Sequence, residues 1–264
     1  VGNQKLLLAH DDALPTLTDM LLSPDVEIQR YGAGVFANLA CDAGNPAAIT
    51  ANQECLRRLT RLLRSEDAET ARFAALAVAN LACDTSKQAQ IGGDGEVLLD
   101  LASLLSHDNV ATTRHAARAL ANLAWDPANR SKMATMASVQ QAVATLLVSH
   151  DVESRRYAVG AMANLLYRNI EHQTWLLQRP DTLRVLGALV VSDDVETRRY
   201  AARGVANLSR NASGREALSQ HHDILRHVKT LLRQPDVEAK RHAQRTLSSL
   251  APDLIERSSA VPVL

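Results

Sequence analysis

Arginine and asparagine recur in this chain at a spacing that lets them act as a row. Arg30, Arg72, Arg114, Arg156, Arg199 and Arg241 each stand eight residues before Asn38, Asn80, Asn122, Asn164, Asn207 and Ser249. The five asparagines follow one another at intervals of 42, 42, 42 and 43, and Ser249 comes 42 later. A guanidinium offers forked N–H donors that match a carboxylate bidentately. A side-chain amide both donates and accepts, so it can meet a peptide backbone without reading its side chains. Four residues before the asparagine place stand Gly34, Leu76, Arg118, Gly160, Arg203 and Arg245, half of them cationic. Trp125, three residues after Asn122, is a candidate aromatic anchor.

Residues at i, i+4 and i+8 share one face of a helix. That puts Arg114, Arg118 and Asn122 in one row, and Arg199, Arg203 and Asn207 in another. Self-similarity at about 42 residues is the signature of a solenoid, in which each repeat buries its apolar face against its neighbours. The chain divides at about 1–42, 43–84, 85–126, 127–168, 169–211 and 212–253, with a tail to 264, and is treated as a single domain.

Each repeat parses into three helices. In the second they are expected over Pro46–Ala51, Glu54–Arg64 and Asp67–Cys83, with Leu56, Leu59, Leu62 and Leu63 at helical spacing in the middle one. Ser23, Ser65, Ser149 and Ser192 are expected as N-caps of third helices. Pro24 and Pro235 are expected at the first helical position. Asp25, Asp67, Asp151, Asp194 and Asp236 place negative charge at the helix N-terminus, and Asn109 fills that place in repeat 3. The one extra residue of repeat 5 is expected near Arg179-Pro180-Asp181, and Glu256–Leu264 shows no helical period.

Composition narrows the function. Formal net charge is zero, which argues against a general nucleic-acid binder. Residues 1–132 carry 12 Lys+Arg and 16 Asp+Glu, and residues 133–264 carry 17 and 13, so the halves differ in sign. Cys41, Cys55 and Cys83 form no disulfide framework and no CxxC, and a reduced cytoplasmic compartment is expected. No apolar run is long enough to span a membrane.

His221-His222-Asp223 with His227 lacks a metal-ligand spacing, and Gly92-Gly93-Asp94-Gly95 lacks the strand and the Lys-Ser/Thr of a phosphate loop. Both are expected as inter-helix turns. No catalytic constellation, cofactor or metal site is expected.

The phrases Arg-Tyr-Gly-Ala-Gly-Val-Phe-Ala-Asn-Leu-Ala (30–40) and Arg-Tyr-Ala-Ala-Arg-Gly-Val-Ala-Asn-Leu-Ser (199–209) resemble the armadillo repeat across essentially the whole chain. The resemblance implies an all-α, right-handed superhelical solenoid of about six three-helix repeats, its third helices lining a concave groove. Nuclear-import adaptors of this family carry Trp four residues before the asparagine, and none stands there here. The pattern is closer to armadillo-only organelle scaffolds, of the vacuolar-tethering or rhoptry-positioning type. There, arginines at the matching position form a cationic row for a partner's extended segment.

The resemblance thus implies a non-enzymatic scaffold or adaptor that tethers an organelle or cytoskeletal structure. It would lie in the cytoplasm or at the cytosolic face of an organelle membrane. Scaffolds of this type are acylated at the N-terminus; the chain opens Val1-Gly2-Asn3-Gln4, so membrane association is expected only through a terminus outside it.

An extended strand advances about 3.3 Å per residue against about 10 Å per repeat, so each repeat would span roughly three partner residues. Two readings of the arginines stay open. They contact a partner's acids, or they pair within the chain, with the Glu three residues before or with Asp42, Asp84 or Asp126. The asparagines likewise either hold a partner or tie one repeat to the next. The aromatic or His after each arginine is expected to pack between third helices, and Trp175 to lie in the core. A regulatory domain of a larger enzyme, and self-association through the terminal repeats, are the alternative functions.

Overall fold

A computed structural model describes residues 12–259, apart from Ala43 and Asp94, and side chains to 251. Residues 1–11 and 260–264, including the apolar end Val261–Leu264, lie outside the described residues. Among the described residues the chain is all helix: α1 Ala13–Met20, α2 Val26–Leu39, α3 Asn45–Ala51, α4 Gln53–Arg61, α5 Ala68–Leu81, α6 Gln88–Ile91, α7 Glu96–Ser103, α8 Val110–Leu123, α9 Pro127–Thr135, α10 Ala137–Leu146, α11 Val152–Leu165, α12 Ile170–Leu177, α13 Pro180–Ala188, α14 Val195–Leu208, α15 Ala212–Gln220, α16 His222–Leu231 and α17 Val237–Ser259. Contacts cluster into two units, residues 1–143 and 144–264.

In the first unit the third helices α2, α5 and α8 pack side by side; in the second, α11, α14 and α17 do so. Their shared faces are built from alanine. Ala33, Ala37, Ala71, Ala74, Ala75, Ala77, Ala116, Ala117 and Ala119 are 0–1% exposed, which allows axes to approach to about 8–10 Å. Leucines from the second helices fill the layer behind. Leu59, Leu98 and Leu101 in the first unit and Leu186 and Leu231 in the second are fully buried, each worth about 1.5–3 kcal/mol of transfer free energy.

The third helices begin one residue later than expected. Asp25, Asp67, Asn109, Asp151, Asp194 and Asp236 are their N-caps or accept their first backbone N–H groups. The serines are not the caps. The hydroxyls of Ser23, Ser65, Ser149 and Ser192 accept from the backbone N–H of the Asp two residues on, at 3.1–3.3 Å, and brace it. Pro24 and Pro235 precede the capping Asp and so lie outside the helices.

Three further expectations are corrected. The second helix of repeat 2 ends at Arg61 and tightens into a 3₁₀ turn, Leu62–Arg64. The extra residue of repeat 5 is Arg168, not a residue near Pro180. It has φ 52, the only positive φ of a non-glycine residue among those described, and pushes the cap of the next helix to Asn169. From that cap to the second helix the spacing matches repeats 4 and 6, so the bulge is absorbed in the turn after α11. The final helix runs through the supposed tail to Ser259.

Candidate functional site

The third-helix faces carry the arginine and asparagine rows, and within each unit most of their chemistry turns inward. Arg30 reaches the next repeat and grips Asp67 bidentately, Nε to Oδ2 at 3.0 Å and Nη2 to Oδ1 at 2.8 Å. Arg156 grips Asp194 in the same way at 3.1 and 2.7 Å. Arg199 donates to both oxygens of Asp236 at 3.1 Å and to Glu196 at 2.8 Å. The acid is the one that caps the neighbouring third helix, so one carboxylate closes the helix end and clasps two repeats.

Of the two readings of the arginines, pairing within the chain is the one the structure shows for Arg30, Arg156 and Arg199. Their partners are not Asp42, Asp84 or Asp126. For Arg72 the corresponding place holds Asn109, which has no charge, and its guanidinium turns back to Glu69 at 3.0 and 2.5 Å and lies 4.1 Å from the Phe73 ring. Arg114 lies half-buried on α8. The guanidinium of Arg30 and the hydroxyl of Thr70 hold the Asp67 carboxyl far below the usual range, and Arg156 does the same to Asp194.

The asparagines bind one repeat to the one before. The side-chain amide of Asn80 donates to the Ala37 carbonyl at 2.9 Å, that of Asn122 to Ala79 at 3.2 Å, and that of Asn207 to Ala163 at 2.9 Å. The second row of arginines completes the link. Arg118 donates to the Asn80 carbonyl oxygen, and Arg203 to that of Asn164 at 2.8 Å. Asn80, Asn164 and Asn207 are buried; Asn38 is exposed, and Asn122 half-exposed.

Phe73 and Tyr200 pack on the preceding repeat, as expected of the ring after the arginine, whereas Tyr31 is exposed. A Cβ on Gly34 would sit 3.8 Å from the Phe73 ring, and one on Gly160 3.5 Å from the Tyr200 ring. The small residue four before the asparagine is thus matched to a large ring one repeat on. His115 and His242 take the ring's place where that residue is Leu76 or Arg203. Burial, then the nearby arginines, pushes each of these imidazoles down to about 4.

At the end of the second unit the pattern opens out. Arg210, Arg241 and Arg245 line a cleft of ≈ 520 Å³ with Gln244, Ser248, Ser249 and Ala206. All three arginines are exposed, and no carboxylate among the described residues pairs with them. Arg245 makes no bond to Asn207, although its counterparts Arg118 and Arg203 each donate to the preceding asparagine. Arg210 was missed in the sequence. It occupies the place three residues after the asparagine where Trp125 stands in repeat 3, and that register was the available signal. Trp125 itself is 55% exposed and Tyr31 64%, while Trp175 is buried and stacked on His172.

Cys41, Cys55 and Cys83 are free thiols. Among the described residues no cluster of His, Cys, Asp and Glu could hold a metal, and no helix is long and apolar enough to cross a membrane.

No protein-family model matches the sequence, and no curated protein matches it. Solved structures do. An engineered protein is 29% identical with TM-score 0.82, the match covering 90% of this chain and 96% of that one. The designed armadillo repeat protein YIII(Dq)4CqI is 23% identical with TM-score 0.82, covering 90% and 99%. UNC-45 from Drosophila melanogaster is 19% identical with TM-score 0.78, covering 92% of this chain and 32% of that one. The fold is therefore an all-α solenoid of armadillo-like repeats.

Proposed function

We propose that this chain is a non-enzymatic interaction scaffold whose third-helix face holds an extended, acidic segment of a partner protein. The carrying observation is the cleft of Arg210, Arg241 and Arg245, three exposed guanidiniums without a carboxylate partner among the described residues. Residues 144–264 hold 17 Lys+Arg against 13 Asp+Glu, so the field of this unit also favours an anion. A neighbour of 22% identity and TM-score 0.80, the designed armadillo repeat protein YIII(Dq.V1)4CPAF, is in complex with the peptide (KR)4, which lends support to peptide binding by this fold. That peptide is basic. The unpaired arginines here favour the opposite charge. Cytoplasmic tethering of an organelle or cytoskeletal structure belongs to the same proposal and rests on the family resemblance.

Selection of a displayed random peptide library on the purified chain tests the reading. Enrichment of Asp and Glu is expected, and is expected to vanish on Arg210→Glu/Arg241→Glu/Arg245→Glu, whose side chains are exposed and make no ion pair among the described residues. Selection without acidic bias, or unchanged in the variant, refutes it.

A further inference from the structure

We infer that the cleft of Arg210, Arg241 and Arg245 is a subsite for a phosphorylated side chain of the bound segment. The inference deepens the acidic-segment reading and rests on it for the source of the ligand.

Register carries the argument. In the preceding repeat, Arg199 is clasped by Asp236 and Arg203 is bonded to Asn164. Arg245, the counterpart of Arg203 one repeat on, is exposed and makes no bond to Asn207, and Arg241 is exposed beside it in the same cleft. They stand one turn apart on α17, so both guanidiniums project on one face. Arg210 faces them from the turn after α14, its guanidinium 5.8 Å from the centre of the Tyr167 ring.

The floor between them is cleared by a replacement. Where five earlier repeats place Asn, this one has Ser249, a shorter side chain whose hydroxyl donates to the Arg245 carbonyl at 2.8 Å. Ser248 and Gln244 complete the rim with a hydroxyl and an amide.

The donor set fits a phosphoryl group better than a carboxylate. One carboxylate presents two oxygens and one charge, which a single arginine fork satisfies. Three guanidiniums, each with five N–H donors, exceed that demand. A phosphomonoester presents three terminal oxygens and about −1.5 to −2 charges near neutral pH, enough to engage all three cations.

The test needs no knowledge of the partner's sequence. The arginine Nε–Hε signals are followed by NMR while N-acetyl-O-phosphoserine amide, or N-acetyl-glutamate amide, is titrated at constant ionic strength and pH 7.5. Saturable shifts at Arg210, Arg241 and Arg245 are expected, with the phosphoryl probe at least tenfold tighter. Arg241→Ala/Arg245→Ala should abolish the shifts. Arg241→Lys/Arg245→Lys, which keeps charge without the fork, should weaken binding about tenfold. Circular dichroism confirms that both variants are folded. Equal affinity for the two probes overturns the phosphoryl subsite and leaves the acidic-segment reading standing. Absence of any saturable shift at these arginines also overturns the subsite, and the library selection then judges the acidic reading by itself.

Discussion

Replacing Asp194 by alanine removes two functions at one position. Its carboxylate caps α14 through the Thr197 backbone N–H at 2.9 Å, and it clasps Arg156 of the preceding repeat at 3.1 and 2.7 Å. Loss of an Asp cap costs about 1 kcal/mol. Hydrogen bonds to charged groups contribute about 1.5–3 kcal/mol each when well buried. The pair here is partly solvated, with side-chain exposures of 29% and 17%, so the low end applies. Asp194→Ala is therefore expected to destabilise by about 2–4 kcal/mol.

Asp194→Asn separates the two functions. Asparagine caps as well as aspartate, as Asn109 does in repeat 3, but carries no charge. A loss of about 1–2 kcal/mol is expected from the weakened pair alone. Urea unfolding followed by circular dichroism measures both, and a cycle with Arg156→Ala isolates the pairing energy. A coupling below about 0.3 kcal/mol would show that the clasp contributes nothing beyond the cap. Asn as damaging as Ala would show that the cap is not what survives. Either result refutes the reasoning.

The remaining predictions use the same geometry. Asn109→Asp should give Arg72 the clasp that it lacks and raise stability by about 0.5–1 kcal/mol, read as a higher urea midpoint with unchanged slope. Acid should destabilise the fold in two steps. Burial holds His172 down to about 3, and His115 and His242 down to about 4, against an ordinary value near 6.5. The unfolded chain then binds more protons below pH 6.5, so stability is full above 6.5 and falls towards pH 4. His115→Phe, the residue that repeat 2 uses, should flatten that slope. A second loss follows below about pH 4, where the unfolded chain protonates Asp67 and Asp194 while their arginine partners hold the native carboxyls below the usual range.

The repeat, the helices and the core were legible in the sequence because they depend on local periodicity. An alanine at a given offset from Asn38 has the same neighbours as one at that offset from Asn80, and six copies of the phrase average out noise. In repeat 2 the helix starts were legible to within a residue, their C-terminal ends only to within two or three. Which of Ser65 or Asp67 caps α5 was not, because both types cap well and only backbone geometry chooses. The bulge at Arg168 was hidden for a similar reason, since 42 against 43 residues gives a length and not a place.

The candidate site divides the same way. That arginine and asparagine form rows follows from an eight-residue spacing on a helix. Whether a row faces a partner or its own chain depends on what lies 37 or 38 residues away across a helix–helix contact, as Asp67 does for Arg30 and Asp194 for Arg156. Sequence alone cannot place that acid within 3 Å, since a turn's length and a helix's tilt decide it. Tertiary packing therefore consumed Arg30, Arg156 and Arg199 of that row. It left open Arg210, Arg241 and Arg245, whose guanidiniums meet no carboxylate and no asparagine among the described residues.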